Sequence, residues 1–416
     1  MQDLIRFEYP PEIISAFAVA GPKESDGPIG DLIHARLASD KFGEGTFEKA
    51  ERKMLTYAID HAIAGTPYPP EGIGAIFSGD LLNQIVSATF AAREFPVPMV
   101  GLYSACSTMS ESLAVASAFL SAGYLESAVA ATGSHFASAE RQYRFPLELG
   151  CTRPPVAQWT VTGAGALVLR STKPAEKNIG HYKENAVAAG EKNLRRVNDA
   201  GEKNLRGVAG SDKGKNCASA SKEARGAEKK EARDVGEKTA GSDSEKANER
   251  RVFITQATFG RVIDFGVTDA NNMGAAMAPA ACDTLVRHFN AAETLPEDYD
   301  YIVTGDLGAY GSKLLEKLTA EAGFPVKSRH LDCGKIIYRM DEKDYQGGSG
   351  AGCSAVVLCS YLLRELRKKP MKIAFLATGA LLSTVTTQQG ESIPAVSHLV
   401  VISSRDEDMS CGERAD

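Results

Sequence analysis

The chain has 416 residues, of which 43% are hydrophobic, and carries a formal net charge of −6. This length leaves room for two or more domains, and the abundant Gly and Ala are typical of α/β proteins whose helices pack closely on a sheet. The longest nearly apolar stretch, residues 354–363, is about half of the ~20 residues that span a bilayer. The N-terminus lacks the basic start and apolar core of a signal peptide. We therefore expect neither secretion nor a membrane-spanning helix.

The eight cysteines include no C-x-x-C pair and no Cys/His spacing of the zinc type. They are spread through a long chain, which is typical of reduced thiols in a cytosolic protein. The sequence therefore predicts a cytoplasmic location and no metal site.

Predicted strands and helices alternate in the first part of the chain. Short apolar runs bounded by Gly, Pro or Asp predict strands, and apolar residues at helical spacing predict amphipathic helices. The predicted strands are residues 13–20, 72–78, 97–102, 125–132 and 161–169. The predicted helices are residues 47–64, a segment that ends at Arg93, and the segment that follows Cys106.

Residues 102–123 (LYSACSTMSESLAVASAFLSAG) place Cys106 between a predicted strand and a predicted helix. A helix N-terminus has free backbone N–H groups and a partial positive charge, which favour a thiolate or a bound carboxylate. The alternative is that Cys106 is a small buried apolar residue, as free cysteines commonly are.

A change of composition separates the chain into two parts at residues 173–250. Lys, Arg, Asp and Glu are interleaved there, and Tyr182 is the only aromatic residue. Such a segment buries too little apolar surface to offset its ordering entropy, so we expect a charged, disordered insertion. The heptapeptide AGEKNLR occurs twice in it, 11 residues apart. A basic nucleic-acid-binding arm is disfavoured, because both signs of charge are present and aromatic residues are missing.

The second part of the chain repeats the pattern of the first. DYIVTGDL at 300–307 is similar to GAIFSGDL at 74–81, and the 371–381 strand is similar to the 126–136 strand. With ATG at 131–133 laid on ATG at 377–379, Cys106 falls on Gly352 in GGSGAGCSAVVL. Internal repetition indicates duplicated βα units. The sequence therefore predicts two similar α/β halves, residues 1–172 and 251–416, related by a pseudo-twofold axis.

A cysteine turn in one half that faces a glycine-rich turn in the other resembles the thiolase superfamily. Ten motifs, in order, resemble one branch of it, the stage V sporulation protein AD family, over residues 1–172 and from about 252 to the C-terminus. The motifs are GPKESDGPIG (21–30), SGDLLNQI (78–85), LYSACSTMSESLA (102–114), SHFASAERQYRFPLELG (134–150), QWTVTGAGA (158–166), DANNMGAAMAPAACDT (269–284), YDYIVTGDLG (299–308), DCGKIIY (332–338), GGSGAGCSAVVL (347–358) and QQGESIPAVSHLVVI (388–402).

The resemblance implies a thiolase-like fold with α-β-α-β-α layers that binds dipicolinic acid (pyridine-2,6-dicarboxylate). It also implies a role in the uptake of this acid with calcium into the developing spore, and in its release during germination. The implied ligand is dipicolinic acid or its calcium chelate, with no other cofactor. Implied partners are membrane proteins of the same sporulation operon, which would hold the protein at the spore inner membrane. The resemblance also implies a homodimer, and no nucleic-acid partner is expected.

The residues themselves disfavour thioester chemistry. Thiolase-like enzymes use His and a second His, Asn or Cys from the second half to activate the cysteine and stabilise the oxyanion. The corresponding stretches, 303–310 and 347–353, contain neither His nor Asn. Asp306 lies there instead, and a carboxylate beside a thiol raises the thiol pKa. We therefore expect no enzymatic activity; the alternatives are an acyl-thioester transferase that uses Cys106 and a scaffold subunit with a vestigial pocket.

A dicarboxylate needs backbone N–H groups or cations and an apolar wall for its ring. We expect the two helix N-termini to receive the carboxylates and Tyr103, Phe136 or Trp159 to contact the ring. His135 is alternatively a hydrogen-bonded core histidine, Arg141 an ion-paired residue on a helix face, and Asp306 a helix cap. The predicted ligand-binding residues are Cys106, Ser107, His135, Arg141, Arg153, Asp306, Gly348 and Ser349.

Overall fold

A computed structural model describes residues 3–143, 154–174, 249–340 and 346–409. The strands are β1 Ile5–Arg6, β2 Glu12–Ala20, β3 Ala35–Arg36, β4 Ala75–Gly79, β5 Met99–Gly101, β6 Ser127–Ser134, β7 Trp159–Thr160, β8 Gly163–Arg170, β9 Phe253–Thr258, β10 Tyr301–Thr304, β11 His330–Asp332, β12 Gly348–Ser349, β13 Lys372–Ala380 and β14 Ala395–Ser403. The α-helices are α1 Pro22–Ser25, α2 Phe47–Ala64, α3 Val86–Ala92, α4 Thr108–Ala122, α5 Phe136–Tyr143, α6 Met273–Ala292, α7 Gly308–Glu321, α8 Cys333–Ile337, α9 Ala351–Val357, α10 Leu363–Lys368 and α11 Thr384–Gln388.

Most of these strands belong to one sheet, whose order shows the internal duplication. The order is β5-β4-β6-β8-β2 in the first half and β9-β14-β13-β10-β11 in the second, and β2 meets β9 at the junction. In each half the two strand pairs nearest the junction are antiparallel, and the two pairs farthest from it are parallel. The two halves therefore have the same strand order and the same directions, as the repeated motifs predicted.

Helices cover both faces of each half and give five layers. Helices α4 and α9 lie between the halves, since α4 packs on β6 and β4 as well as on β13 and β14. Helices α2 and α3 cover the outer face of the first half, and α6 and α7 cover the second. Three hydrophobic clusters fill the three helix layers. The α-β-α-β-α arrangement is therefore the thiolase-like one that the sequence predicts.

The central strands are buried on both faces, which is why their sequences are continuous apolar runs instead of alternating ones. In β6 the side chains of Ala128 and Ala130 enter the central cluster, and Val129 and Ala131 enter the outer one. Successive strand residues point to opposite faces, so one strand contributes to two cores. The small side chains of β6 allow α4 and α9 to pack close to it.

The predicted elements agree with the structure except at their ends. Helix α2 has the predicted bounds, and its first turn is capped by Thr46, whose hydroxyl accepts from the Lys49 N–H at 3.4 Å. The strand predicted from Gly72 begins only at Ala75, because residues 70–72 form a 3₁₀ turn.

The predicted charged insertion, residues 173–250, lies almost wholly outside the described residues, so its disorder stays a prediction. In the described part of the chain we find no helix with the length and apolar character that a bilayer crossing requires.

Candidate functional site

Cys106 lies in a tight turn between β5 and α4. Residues Ala105–Ser107 form a 3₁₀ turn that leads into α4, and Ala105 adopts a left-handed backbone conformation with φ of 50°. Such a φ is strained for a residue with a side chain and persists only where the surroundings enforce it. Here β13 enforces it: a Cβ added at Gly379 would lie 2.1 Å from the Ser104 carbonyl oxygen.

Ser107 fixes this turn to the second half. Its hydroxyl donates to the Ala377 carbonyl at 2.8 Å and accepts from the His398 N–H at 3.0 Å. The side chain is fully buried and does not line the cavity described below. We predicted Ser107 as a ligand-binding residue, but in the structure its hydroxyl forms hydrogen bonds that join the two halves.

The second half contributes the turn before α9. Strand β12, Gly348–Ser349, pairs with β7, and Gly350 follows with φ of 97°, a conformation that favours glycine. The Gly348 carbonyl accepts from the Gln158 side-chain amide at 2.9 Å, so Gly348 is held as backbone structure. The Gly352 N–H donates to the Ser134 hydroxyl at 3.0 Å. Gly352 lies in the first turn of its central helix, and Cys106 lies in the turn that opens α4, as the repeat predicted.

The two turns meet at a small, mostly apolar cavity of about 30 Å³. Since a water needs roughly 10–15 Å³ by this measure, the cavity has room for about two waters. Helix α5 forms one wall, opposite the turns. The lining residues are Leu81, Ala105, Cys106, Ala139, Glu140, Tyr143, Thr160, Met273, Ser349, Gly350, Ala380 and Leu382.

Asp306 lies directly behind this cavity and is only 1% exposed. Its Oδ2 accepts from the Gly350 N–H at 2.9 Å and its Oδ1 accepts from the Thr378 hydroxyl at 2.7 Å. It also shares a hydrogen bond with the thiol of Cys106. Burial raises the pKa of Asp306 to about 7, although these hydrogen bonds oppose the shift.

The environment of Cys106 is unfavourable for a thiolate. Burial raises its pKa well above the usual value, and the charge of Asp306 and the hydrogen bond to it raise the pKa further. The cavity lining contains no His or Asn among the described residues. Both effects keep the Cys106 thiol protonated near neutral pH, and a protonated thiol is a weak nucleophile.

Asp306 does not cap the helix that follows it, α7. Asp332 does so instead: its carboxylate accepts from the Leu307 N–H at 2.9 Å and the Gly308 N–H at 3.0 Å. The equivalent residue of the first half, Asp80, does bond its own neighbourhood, through the N–H groups of Leu82 and Ala88, each at 2.7 Å. The capping alternative therefore holds for Asp80, whereas Asp306 bonds the N-cap of α9.

His135 is placed as a hydrogen-bonded core residue. It is 1% exposed, and its Nδ1 accepts from the Ala137 N–H at 3.1 Å. The ring proton is therefore on Nε2, which donates to the Asp40 carbonyl at 2.9 Å. Burial lowers the pKa of His135, so the ring is neutral and adds no positive charge to the site.

Of the predicted cations, the two that the structure describes, His135 and Arg141, do not line the cavity. Arg141 is half exposed and forms an ion pair with Glu48 on the outside of α5. Arg153 lies outside the described residues. Of the predicted ring contacts, Phe136 and Trp159 stack on each other at 4.0 Å and do not line the cavity.

Two ionisable lining residues, Glu140 and Tyr143, were not among the predicted ones. Both lie on the inner face of α5, and the Glu140 carboxylate accepts from the Thr160 hydroxyl at 3.3 Å. Ser349, which was predicted, lines the cavity, and its buried hydroxyl has no hydrogen-bond partner among the described residues, a state that it shares with Ser354 and several other serines. A buried hydroxyl without a partner costs about 1–3 kcal/mol, so a ligand that accepts a hydrogen bond from Ser349 would recover this energy.

The duplicated topology, the five layers and the cysteine turn at the interface of the halves define a thiolase-like protein. Its site has a cysteine in this turn, and the described lining contains neither histidine nor asparagine, with Asp306 behind the cavity. The model of the stage V sporulation protein AD (SpoVAD) family matches residues 2–209 and 223–403, and the chain belongs to this family. The match extends into the segment 173–250, which we had set apart from the family; only residues 210–222 within that segment are left out.

Among curated proteins, the chain is 36% identical over 396 residues to the stage V sporulation protein AD of Bacillus subtilis (strain 168). The alignment covers 95% of both proteins. The protein is therefore a member of a sporulation protein family.

Solved structures of similar fold are more distant. They include 3-oxoacyl-[acyl-carrier-protein] synthase III from Aquifex aeolicus VF5, with a TM-score of 0.46, 12% identity, and 94% of this chain and 99% of that chain covered. Cerulenin-bound OleA from Xanthomonas campestris has a TM-score of 0.49 at 12% identity and covers 95% of this chain and 100% of that chain.

Proposed function

We propose that this protein binds dipicolinic acid in the cavity between Cys106 and Ser349 and performs no chemistry on it. In this proposal it supports uptake of the acid with calcium into the developing spore and its release in germination. Membership of the sporulation family supports the biological setting. The observation that carries the proposal is that Cys106, in the cavity wall, is kept as a buried thiol with Asp306 behind it, while Ser349 in the same wall has a hydroxyl without a described partner.

The absence of catalysis follows from the thiol. An acyl transfer needs a thiolate and donors aimed at the oxyanion. At Cys106 both burial and Asp306 oppose the thiolate. The Gly350 N–H, a potential oxyanion donor beside the thiol, is already bonded to Asp306. The same contacts argue against the alternative, an acyl-thioester transferase.

Ligand binding requires the cavity to open. A pyridine ring with two carboxylates is several times larger than a cavity with room for about two waters. The wall formed by Ala139, Glu140 and Tyr143 belongs to one short helix, α5. We expect α5 to move outward when the acid, free or as its calcium chelate, binds.

Calorimetric titration of dipicolinate tests the proposal, with Ser349→Ala as the informative variant. A carboxylate that accepts from the Ser349 hydroxyl would lose this bond, so affinity should fall about tenfold, equivalent to ~1–2 kcal/mol. Ser354→Ala is the matched control, because the Ser354 hydroxyl is also buried without a described partner but does not line the cavity. Equal affinity in both variants would contradict this placement, and no heat with the unmodified protein would contradict the proposal itself.

Assembly and localisation complete the proposal. Strand β5 is the last strand of the sheet in the first half, and its Val100 side chain is exposed together with Phe90 of α3. An apolar sheet edge favours pairing with another chain, which supports a homodimer formed through β5. We further propose peripheral association with the spore inner membrane through membrane proteins of the same operon.

A further inference from the structure

The described lining of the cavity is poor in positive charge. Its ionisable side chains are Cys106, Glu140 and Tyr143, and no Lys, Arg or His is among the described lining residues. His135 is neutral, and Arg141 is paired on the far side of α5. An anion that enters this cavity therefore meets acidic groups, and its charge must be compensated in another way.

Asp306 is the group best placed to provide this compensation by taking up a proton. Two residues that it bonds, Cys106 and Gly350, form part of the cavity wall, so its carboxyl group lies one residue layer behind a bound ligand. It is buried, and its two oxygens accept hydrogen bonds from the Gly350 N–H and the Thr378 hydroxyl. The hydroxyl can rotate to accept a hydrogen bond instead of donating one, so the carboxyl group can be protonated without rearrangement.

The other titratable groups around Asp306 are not cations. The thiols of Cys106, Cys333 and Cys353 all have pKa values raised well above the usual value, so they stay protonated. Burial also raises the pKa of Asp332 on β11, whose charge in turn raises the pKa of Asp306, and Glu140 in the cavity wall is acidic as well. Each of these neighbours is neutral or negative, so an added anion stabilises the protonated form of Asp306.

We propose that dipicolinate binding, as set out in the proposed function on which this inference rests, is coupled to the uptake of one proton by Asp306. Each carboxyl group of the ligand ionises at about pH 4, so the ligand enters as an anion near neutral pH. Below the pKa of free Asp306 the proton is already present, and affinity does not depend on pH. Well above this pKa, each binding event requires Asp306 to take up a proton from the solvent, and affinity falls about tenfold per pH unit.

The experiment is a calorimetric titration of dipicolinate into the full chain at several values from pH 6 to pH 8.5. Each titration is repeated in phosphate and in Tris, whose different ionisation enthalpies reveal the number of protons taken up. We expect uptake of nearly one proton at pH 8 and an affinity about fivefold lower than at pH 7, with the slope approaching tenfold per pH unit above pH 8. Asp306→Asn should abolish the uptake and flatten the pH profile.

The matched control is Glu24→Gln. Burial also raises the pKa of Glu24 to about 7, but this residue bonds the Tyr338 hydroxyl and the Thr162 N–H and does not line the cavity. It should retain the unmodified pH profile. If Asp306→Asn fails to fold, Thr378→Val replaces it: loss of the hydroxyl that stabilises the charged form raises the pKa of Asp306 and shifts the fall in affinity to higher pH.

The possible failures are distinguishable. Binding with flat affinity and no proton uptake would overturn the coupling and leave the proposed function intact. Uptake that persists unchanged in Asp306→Asn, or a Thr378→Val profile that does not move, would also overturn it. No heat from the unmodified protein at any pH would refute the proposed function, and the coupling with it.

Discussion

Asp80 and Asp306 occupy equivalent positions in the two halves but perform different tasks. Each follows a parallel strand in a Gly-Asp-Leu motif. Asp80 bonds backbone N–H groups at the start of its own α3, whereas Asp306 bonds Gly350 and Thr378, far away in the chain. Asp332 takes over the capping of α7 and so releases Asp306 for the site. The same motif thus provides a structural cap in one half and, in the other, a carboxyl group that lies behind the cavity wall.

The same asymmetry applies to the glycines at the ends of the neighbouring strands β13 and β6, and Gly379→Ala should have the largest effect. Its Cβ would lie 2.1 Å from the Ser104 carbonyl oxygen, and backbone on both sides is fixed. We expect the free energy of unfolding to fall by about 4 kcal/mol or more, measured by urea denaturation.

Gly133→Ala is the equivalent change in the first half and the control. Its Cβ would meet the Ala164 Cβ at 3.0 Å, a contact that a small strand displacement relieves. The cost should be about 1–2 kcal/mol. Equal losses in both variants would show that the cysteine turn is not held by close approach of β13.

Asp306→Asn should alter the pH dependence of stability. The pKa of Asp306 rises from 3.8 to about 7 on folding. Between these values the unfolded chain releases the proton while the folded chain retains it, so stability is lost as pH rises from about 4 to 7 and stays low above. The asparagine variant lacks this loss and should be about 3–4 kcal/mol more stable than the unmodified protein at pH 8. Urea denaturation of both proteins at pH 5 and pH 8 measures this. If the difference in their free energies of unfolding were the same at both pH values, it would contradict a buried, uncompensated carboxylate.

Asp80→Asn should have the smaller effect at pH 8. Burial raises the pKa of Asp80 to about 6, so the same linkage costs the folded protein about 3 kcal/mol by pH 8. Asparagine removes this cost but offers only one oxygen for the N–H groups of Leu82 and Ala88, which loses about 1–2 kcal/mol. We therefore expect a net gain of about 1–2 kcal/mol by urea denaturation at pH 8. A gain as large as that of Asp306→Asn would remove the contrast between the cap and the site.

Much of the fold could be predicted because the signals are local or repeated. Apolar runs and helical spacing identified β2, α2 and α4, and the repeat identified the pseudo-twofold relation. The position of Cys106 in a turn before a helix was predicted for the same reason. What local signals could not supply is the partner of each polar group, since the sequence Gly-Asp-Leu is the same at Asp80 and Asp306.

The walls of the cavity illustrate a second limit. In and just before α5 we singled out His135 and Arg141 for their charge, whereas Glu140 and Tyr143 face the cavity. These two are three residues apart and share a helix face with Ala139, so helical spacing contained a usable signal. The neutral state of His135 depends on its burial, and its tautomer on the Asp40 carbonyl, almost a hundred residues away in the chain; no pattern within α5 could reveal either.

The most direct test of the central claim is a titration of dipicolinate into the unmodified protein and into Cys106→Ala, followed by calorimetry. A ligand held by hydroxyl and backbone donors does not need the thiol, so both proteins should give saturable heat, with affinity in the variant spared or only weakened. No heat from the unmodified protein, together with an acyl group trapped on Cys106 by a thioester substrate, would contradict the claim and establish the enzyme in its place.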